Sequence, residues 1–325
     1  PPRSTLFPYT TLFRSFMLFQ LMFAILTPAL ISGALVERTN FLAYTIFILL
    51  WSTLVYDPIA HWIWGVGGWI RNLGALDFAG GNVVHISSGV SALTAALIIG
   101  RRRKMETITP HNIPMTLVGA GVLWLGWFGF NAGSALAIND VALYAFINTN
   151  TSAAAAALAW SFCEFLYRKK ITCLGIASGA VAGLVAITPG AGFVTPMSSL
   201  FIGLVGGAVC FFAVTIVKAK LKYDDALDAF GCHGIGGIWG GIATGIFATK
   251  SINPAGANGL YYGNAHLLGI QLIAILVTVV YSALVTFIIL KLINLLVPVR
   301  ASREQELEGL DVSIHGEEAY GGLNI

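Results

Sequence analysis

An all-α integral membrane protein of nine spans, with two halves in inverted order, is the fold class this sequence predicts. Three observations predict it. Hydrophobic residues make up 57% of the 325 and charged residues only 10%, giving a mean hydropathy of +0.80, far outside the range of soluble domains. Apolar stretches of about 20 residues, the length of a helix that crosses a bilayer, recur throughout, whereas the alternation of barrel strands is not seen. Finally, a polar, glycine-rich motif with an Asp and a His eight residues apart occurs twice, as Asp77/His85 and Asp225/His233, each time heading an apolar run.

The elements follow in chain order. Residues 5–15 read as the in-frame translation of a sequencing adapter, so 1–15 are set aside from fold reasoning and the gene is expected to extend upstream. Apolar runs then predict spans at 16–36, 40–56, 80–100, 113–137, 141–167, 171–188, 198–217, 227–248 and 266–297. The second is short, and the ninth is long enough to tilt or to reach beyond the bilayer. Pro, Gly and charge mark the connections, as at Glu37 to Asn40 and at Arg168 to Lys170. Cys163, Cys173, Cys210 and Cys232 lie in or beside apolar runs without C-x-x-C spacing and read as small core residues.

Charge placement sets the orientation. Arg38, Arg101 to Lys104, Arg168 to Lys170, Lys218, Lys220, Lys222, Lys291, Arg300 and Arg303 fall on one side of a nine-span threading, and Arg71 and Lys250 on the other. Basic residues stay on the cytoplasmic side, so the first span runs inward and the tail, 298–325, is expected in the cytoplasm. His85 on the third span and His233 on the eighth then ride helices of opposite direction, as an inverted five-plus-five repeat requires. Small residues follow each His on one face, Ser88, Gly89 and Ala92 in one half and Gly236, Gly237 and Gly240 in the other, which lets another helix approach closely. Ionisable groups at such depth are costly and mark candidate sites.

With Asp77–Gly89, the run Gly126-Trp-Phe-Gly-Phe-Asn-Ala-Gly-Ser134, Asp228-Ala-Phe-Gly-Cys-His233-Gly and the tail Glu308-Gly-Leu-Asp311 in this order, the chain resembles the ammonium transporter family (Amt/Mep/Rh), of bacterial Amt type, from Phe16 to Tyr320. The resemblance implies a homotrimer of eleven-helix subunits, each with its own pore, so two further spans are expected before Phe16. It implies an outer recruitment site at Phe19, Phe23, Trp64 and Ser134, a gate at Phe23 and Phe130, and paired pore histidines at His85 and His233. Asp77 matches the carboxylate regarded as supporting the site. The transmembrane domain would span 16–297. The tail would pack on the inner face, with Gly309 and Asp311 in regulatory coupling to a PII-type nitrogen regulatory protein. The location would be the cell inner membrane, with no cofactor, metal or nucleic acid involved.

Elementary chemistry runs the same way. Phe19 and Phe23 share a helix face. Aromatic faces with one hydroxyl can hold a small cation at about 0.5–2 kcal/mol per contact. Dehydrating an ammonium-sized ion costs about 20 kcal/mol in the idealised limit and several in real proteins. Rings alone do not offset that, so the ion is expected to lose its proton near the gate and to cross as ammonia beside two imidazoles able to share a hydrogen. Simpler roles stand beside these. Taken alone, Trp64 reads as an interfacial anchor, Asp77 first as a helix N-cap and Ser134 also as a hydroxyl bonded to its own helix. Asp225 and Asp228 read as capping or solvated groups, Glu164 as a solvated helix end, and His61, His111 and His266 as ordinary loop residues. An ammonium sensor signalling through the tail and an Rh-like neutral gas channel are the alternative functions. No H-E-x-x-H or G-x-S-x-G motif suggests an enzyme.

Overall fold

The computed structural model describes residues 7–103 and 109–318. Lys104 and the outermost parts of both terminal segments discussed above lie outside the described residues. Nine helical stretches follow one another in the expected order: α1 (Phe7–Ile31); α2 (Phe41–Trp51) running on into α3 (Asp57–Trp64), with the short α4 (Trp69–Leu73) behind it; α5 (Ser87–Ile99); α6 (Ile113–Gly133); α7 (Asp140–Arg168); α8 (Cys173–Ile187); α9 (Pro196–Phe212) continuing to α10 (Lys218–Leu221); α11 (Ile235–Phe247); and α12 (Ala265–Leu296). A short α13 (Arg303–Glu308) lies in the tail. Among the described residues, six helical stretches are long and apolar enough to cross a membrane.

Two boundaries correct the expectation. The first helix begins at Phe7, inside the segment set aside. The second span is not short. A π-helical turn at Ser52–Tyr56 carries the chain across Asp57 into α3; Pro58 has no amide hydrogen to give the preceding turn, and the Tyr281 hydroxyl donates to the Leu54 carbonyl at 2.8 Å. Local chemistry explains most other starts. Asn40, Asn112, Asn139, Thr172, Thr195 and Asn264 each cap a helix by accepting backbone N–H groups through the side chain.

The stretch Gly81–Ile99 is the hub, with 78% of its apolar window buried against 6% for α6. It packs on α12 and on the π turn Phe230–Gly234, while α11 packs on the π turn Gly81–Ile86. The contact is reciprocal. A Cβ at Gly89 would lie 2.2 Å from the Gly234 amide nitrogen, and one at Gly237 would lie 3.1 Å from the Gly81 carbonyl and the His85 Cβ. Small residues thus bring the two halves together at the two histidines. Elsewhere α7 lies along α8 and α9 through Ser152 and Ala156.

Candidate functional site

Each histidine is carried by a π turn that an aspartate eight residues earlier holds open. Asp77 accepts from the amides of Gly80 and Gly81 through Oδ1 and from those of Asn82 and Val83 through Oδ2, at 2.6–3.3 Å. Asp225 accepts from Ala229 and Phe230 at 3.0 and 2.8 Å. Three residues after each Asp the backbone turns left-handed, at Gly80 (φ +115°) and Asp228 (φ +56°). The free amides of a helix start are thereby satisfied. Asp77 and Asp225 are therefore caps, and Asp228 pairs with Lys218 at 2.6 Å.

His85 is fully buried. Its Nδ1 lies 3.3 Å from His233 Nδ1, with ring centroids 5.3 Å apart and 29° between planes. On its other side His85 stacks on Trp127 at 5.5 Å and on Phe130 at 5.9 Å. From Phe130 the rings continue outward, 4.5 Å to Phe23, then 4.9 Å to Phe19 and 5.5 Å to Trp64. Beyond them opens a cavity of about 750 Å³ whose lining includes Phe19, Phe23, Trp64, Asp77 and Ser134. The Trp64 indole N–H donates to the Asp77 carbonyl at 2.8 Å, fixing that ring over the cavity floor. The Ser134 hydroxyl donates to the Phe130 carbonyl at 2.8 Å, the back-bond to its own helix; its oxygen keeps an accepting lone pair.

Chemically, a hydrogen shared between two Nδ1 atoms forces opposite tautomers. The donor ring leaves a bare Nε2 acceptor, the other an Nε2–H donor. The His85 Nε2 and both amide atoms of Asn82 are buried without a partner among the described residues. Buried polar atoms in that state call for a water or a small polar guest. No three His, Cys, Asp or Glu side chains converge among the described residues as a metal site would require.

Sequence reasoning missed several parts. Trp127, which stacks on His85 and donates to Thr188 at 3.0 Å, lay inside a motif quoted for other residues. Arg71, Gln20, Phe78, Phe193 and Asn253 also line the cavity; helices α1 and α4 and loops far apart in the chain supply them, and no periodicity signals that. Glu164 is not a solvated helix end. It is 3% exposed and accepts from the Thr172 amide and hydroxyl at 3.0 Å, joining α7 to the start of α8. Gly309 (φ +110°) ends α13, and Asp311 opens the turn behind it, accepting from the Glu317 amide at 3.2 Å.

At the opposite end of the molecule a charged network ties the loops. Asp224 meets Arg102 at 2.9 Å and Arg38 at 3.8 Å. Burial pushes the Asp224 carboxyl up, but the Arg102 guanidinium and amide, with Arg38, outweigh it and hold it below its ordinary value. Glu306 of the tail receives Arg103 and Arg300, each at 2.7 Å. Burial raises its pKa too, and those two guanidinium groups bring it net below the usual carboxylate range.

Among the described residues, nine helical stretches around the paired His85 and His233, entered from an aromatic-lined cavity, make up a multi-pass membrane protein of the transporter and channel class. The sequence pattern described as Ammonium Transporter Family matches residues 4–320, and the chain belongs to that family. A Bacillus subtilis (strain 168) relative, "Ammonium transporter", is 59% identical over 305 residues, 94% of this chain and 75% of the relative. The crystal structure of Saccharomyces cerevisiae Mep2 superposes with a TM-score of 0.82 at 38% identity, over 88% of this chain. A solved structure titled "Sensor Amt Protein" superposes with a TM-score of 0.84 at 32% identity, over 92% of this chain and 76% of that one. The chain spans 66% of the length of the Mep2 structure.

Proposed function

We propose that the protein moves ammonium nitrogen inward across the cell membrane, recruiting the cation in the aromatic vestibule and passing it on as ammonia. The observation that carries this reading is the unbroken run of rings from Phe19 through Phe23 and Phe130 to His85 and His233. Phe19, Phe23 and Trp64 offer ring faces to the cation and Ser134 a hydroxyl oxygen. Phe23 on Phe130 closes the way inward, so only a partner small enough to slip between rings and free of a hydration shell passes. The cation gives up a proton there, because a few contacts of about 0.5–2 kcal/mol each do not replace its water. The neutral molecule then meets one Nε2 acceptor and one Nε2–H donor. A proton accepted at one outer nitrogen can be handed through the shared Nδ1 hydrogen and released at the other, so the pair can act as a relay. Asp77 acts through structure, by holding the turn that aims His85.

The same reading places the vestibule outside, the tail in the cytoplasm of an inner-membrane homotrimer, and a PII-type protein on the tail face, where Gly309 and Asp311 shape the turn behind α13. The test is uptake of labelled methylammonium by proteoliposomes holding the full chain. With His85→Ala or His233→Ala, uptake is expected to fall at least tenfold while size-exclusion behaviour stays that of the parent protein. Undiminished uptake in either variant would remove the relay.

A sensor is the second reading, favoured by the likeness to the structure titled "Sensor Amt Protein" and by the fixed attachment of the tail through Glu306. Removing residues 299–325 separates the two: a transporter keeps substrate uptake, whereas a sensor loses its signalling output together with the tail.

A further inference from the structure

Among the described residues lining the vestibule, two carry charge, Arg71 and Asp77. Asp77 has both carboxylate oxygens taken by four backbone N–H groups. Arg71 is exposed, and its Nη1 donates to the Trp64 carbonyl at 2.6 Å. The residue whose indole forms one wall of the ring cluster therefore carries a guanidinium on its backbone. That carbonyl ends α3, where a helix terminus would otherwise present partial negative charge to a cation. Arg71 cancels that attraction and adds a full positive charge at the mouth. For a cavity read as a cation receptor this is the wrong sign, unless weak binding is itself the purpose.

We propose that Arg71 is the charge filter of the vestibule: it weakens binding of singly charged amines a little and excludes doubly charged cations much more. The proposal rests on the recruitment reading above. Coulomb repulsion scales with the charge of the guest. If Arg71 raises the dissociation constant of a monovalent cation by some factor, it raises that of a divalent cation at the same place by the square of the factor. Because the guanidinium is exposed, salt screens the effect. Without Arg71, doubly charged cations would meet less repulsion at the ring faces, and one that bound there would occupy the site without being able to pass.

The experiment measures equilibrium binding of labelled methylammonium to the purified full chain in detergent, which does not depend on transport, and its displacement by calcium. Arg71→Gln removes the charge and keeps a polar amide; Arg71→Lys keeps the charge. At about 0.02 M salt, where the screening length is long, Arg71→Gln is expected to bind methylammonium about threefold tighter and calcium about tenfold tighter, with Arg71→Lys like the parent. At about 0.5 M salt the difference should close. No change in Arg71→Gln at low salt, a change that persists at high salt, or Arg71→Lys behaving like Arg71→Gln would each reduce Arg71 to a cap on α3 and overturn the proposal. If the parent protein itself binds no methylammonium, the recruitment reading fails, a result distinct from binding that Arg71→Gln leaves alone.

Discussion

Asp77 shows how one side chain can look like a ligand and work as scaffolding. Its two oxygens hold four amides, so replacing one oxygen with an NH2 group in Asp77→Asn sets donor against donor. At about 1–3 kcal/mol for each buried amide left unpaired, melting is expected to occur well below the parent temperature. Asp225→Asn, with two amides at stake, should cost less. A thermal shift assay in detergent decides it; unchanged melting with a raised KM would make Asp77 a cation ligand instead. The partner contact is tested at Gly89, where a methyl group would be driven into Gly234. Gly89→Ala should separate the imidazoles and lose uptake, at a stability cost of about 1–3 kcal/mol for overpacking. At this scale the sequence was informative where spacing is rigid. An Asp eight residues before a His at the head of an apolar run is visible in the letters, because cap and ring ride one turn. It put Arg71 on the outer side without giving it a part in the site, and it was silent about Trp127, whose place is decided by what other helices bring to it.

Among the elements, the tail is the one whose attachment can be titrated. Ser302 and Gln305 form a reciprocal cap at the start of α13, which sets Glu306 against Arg103 and Arg300, while Arg300 pairs with Thr39 and Asn40 donates to Val299. The Glu306 carboxyl is held below its ordinary value in the folded protein, burial opposing and the two guanidinium groups prevailing. A depressed acid contributes stability in full above its unfolded pKa, and that contribution is lost as pH falls through the lower folded value. The tail should therefore stay protected from protease near neutrality and become cleavable only at a pH below the ordinary range of such acids. Glu306→Gln should be cleavable at pH 7. Equal cleavage of parent and variant at pH 7 would mean that the network does not hold the tail. Element boundaries were legible wherever a cap or a glycine ended an apolar run. They were not legible at Asp57-Pro58, where a π turn lets the helix continue through a dipeptide that reads as a stop, nor at Glu164, whose neighbour Arg168 suggested solvent while Thr172 folds back to bury it.

For the whole molecule the decisive property is the separation of charge along one axis. The network of Arg38, Arg102, Arg103 and Arg300 with Asp224 and Glu306 occupies one end, and the vestibule with Arg71 occupies the other. Loops rich in Lys and Arg stay in the cytoplasm, so the vestibule should face outward and the pore should be filled from outside. A native residue reports on this without a mutation. Of the four free cysteines, Cys173 is exposed while Cys210 and Cys232 are buried, and Cys173 opens α8 just after Lys169 and Lys170. A membrane-impermeant maleimide should leave Cys173 unmodified in right-side-out vesicles and label it in inverted ones, whereas a cysteine introduced at the exposed Ser251, beside Lys250, should show the reverse. Labelling of Cys173 from outside would turn the molecule over. Recruitment would then have to begin at the charged face, and the order of capture first and proton loss second would fall with it.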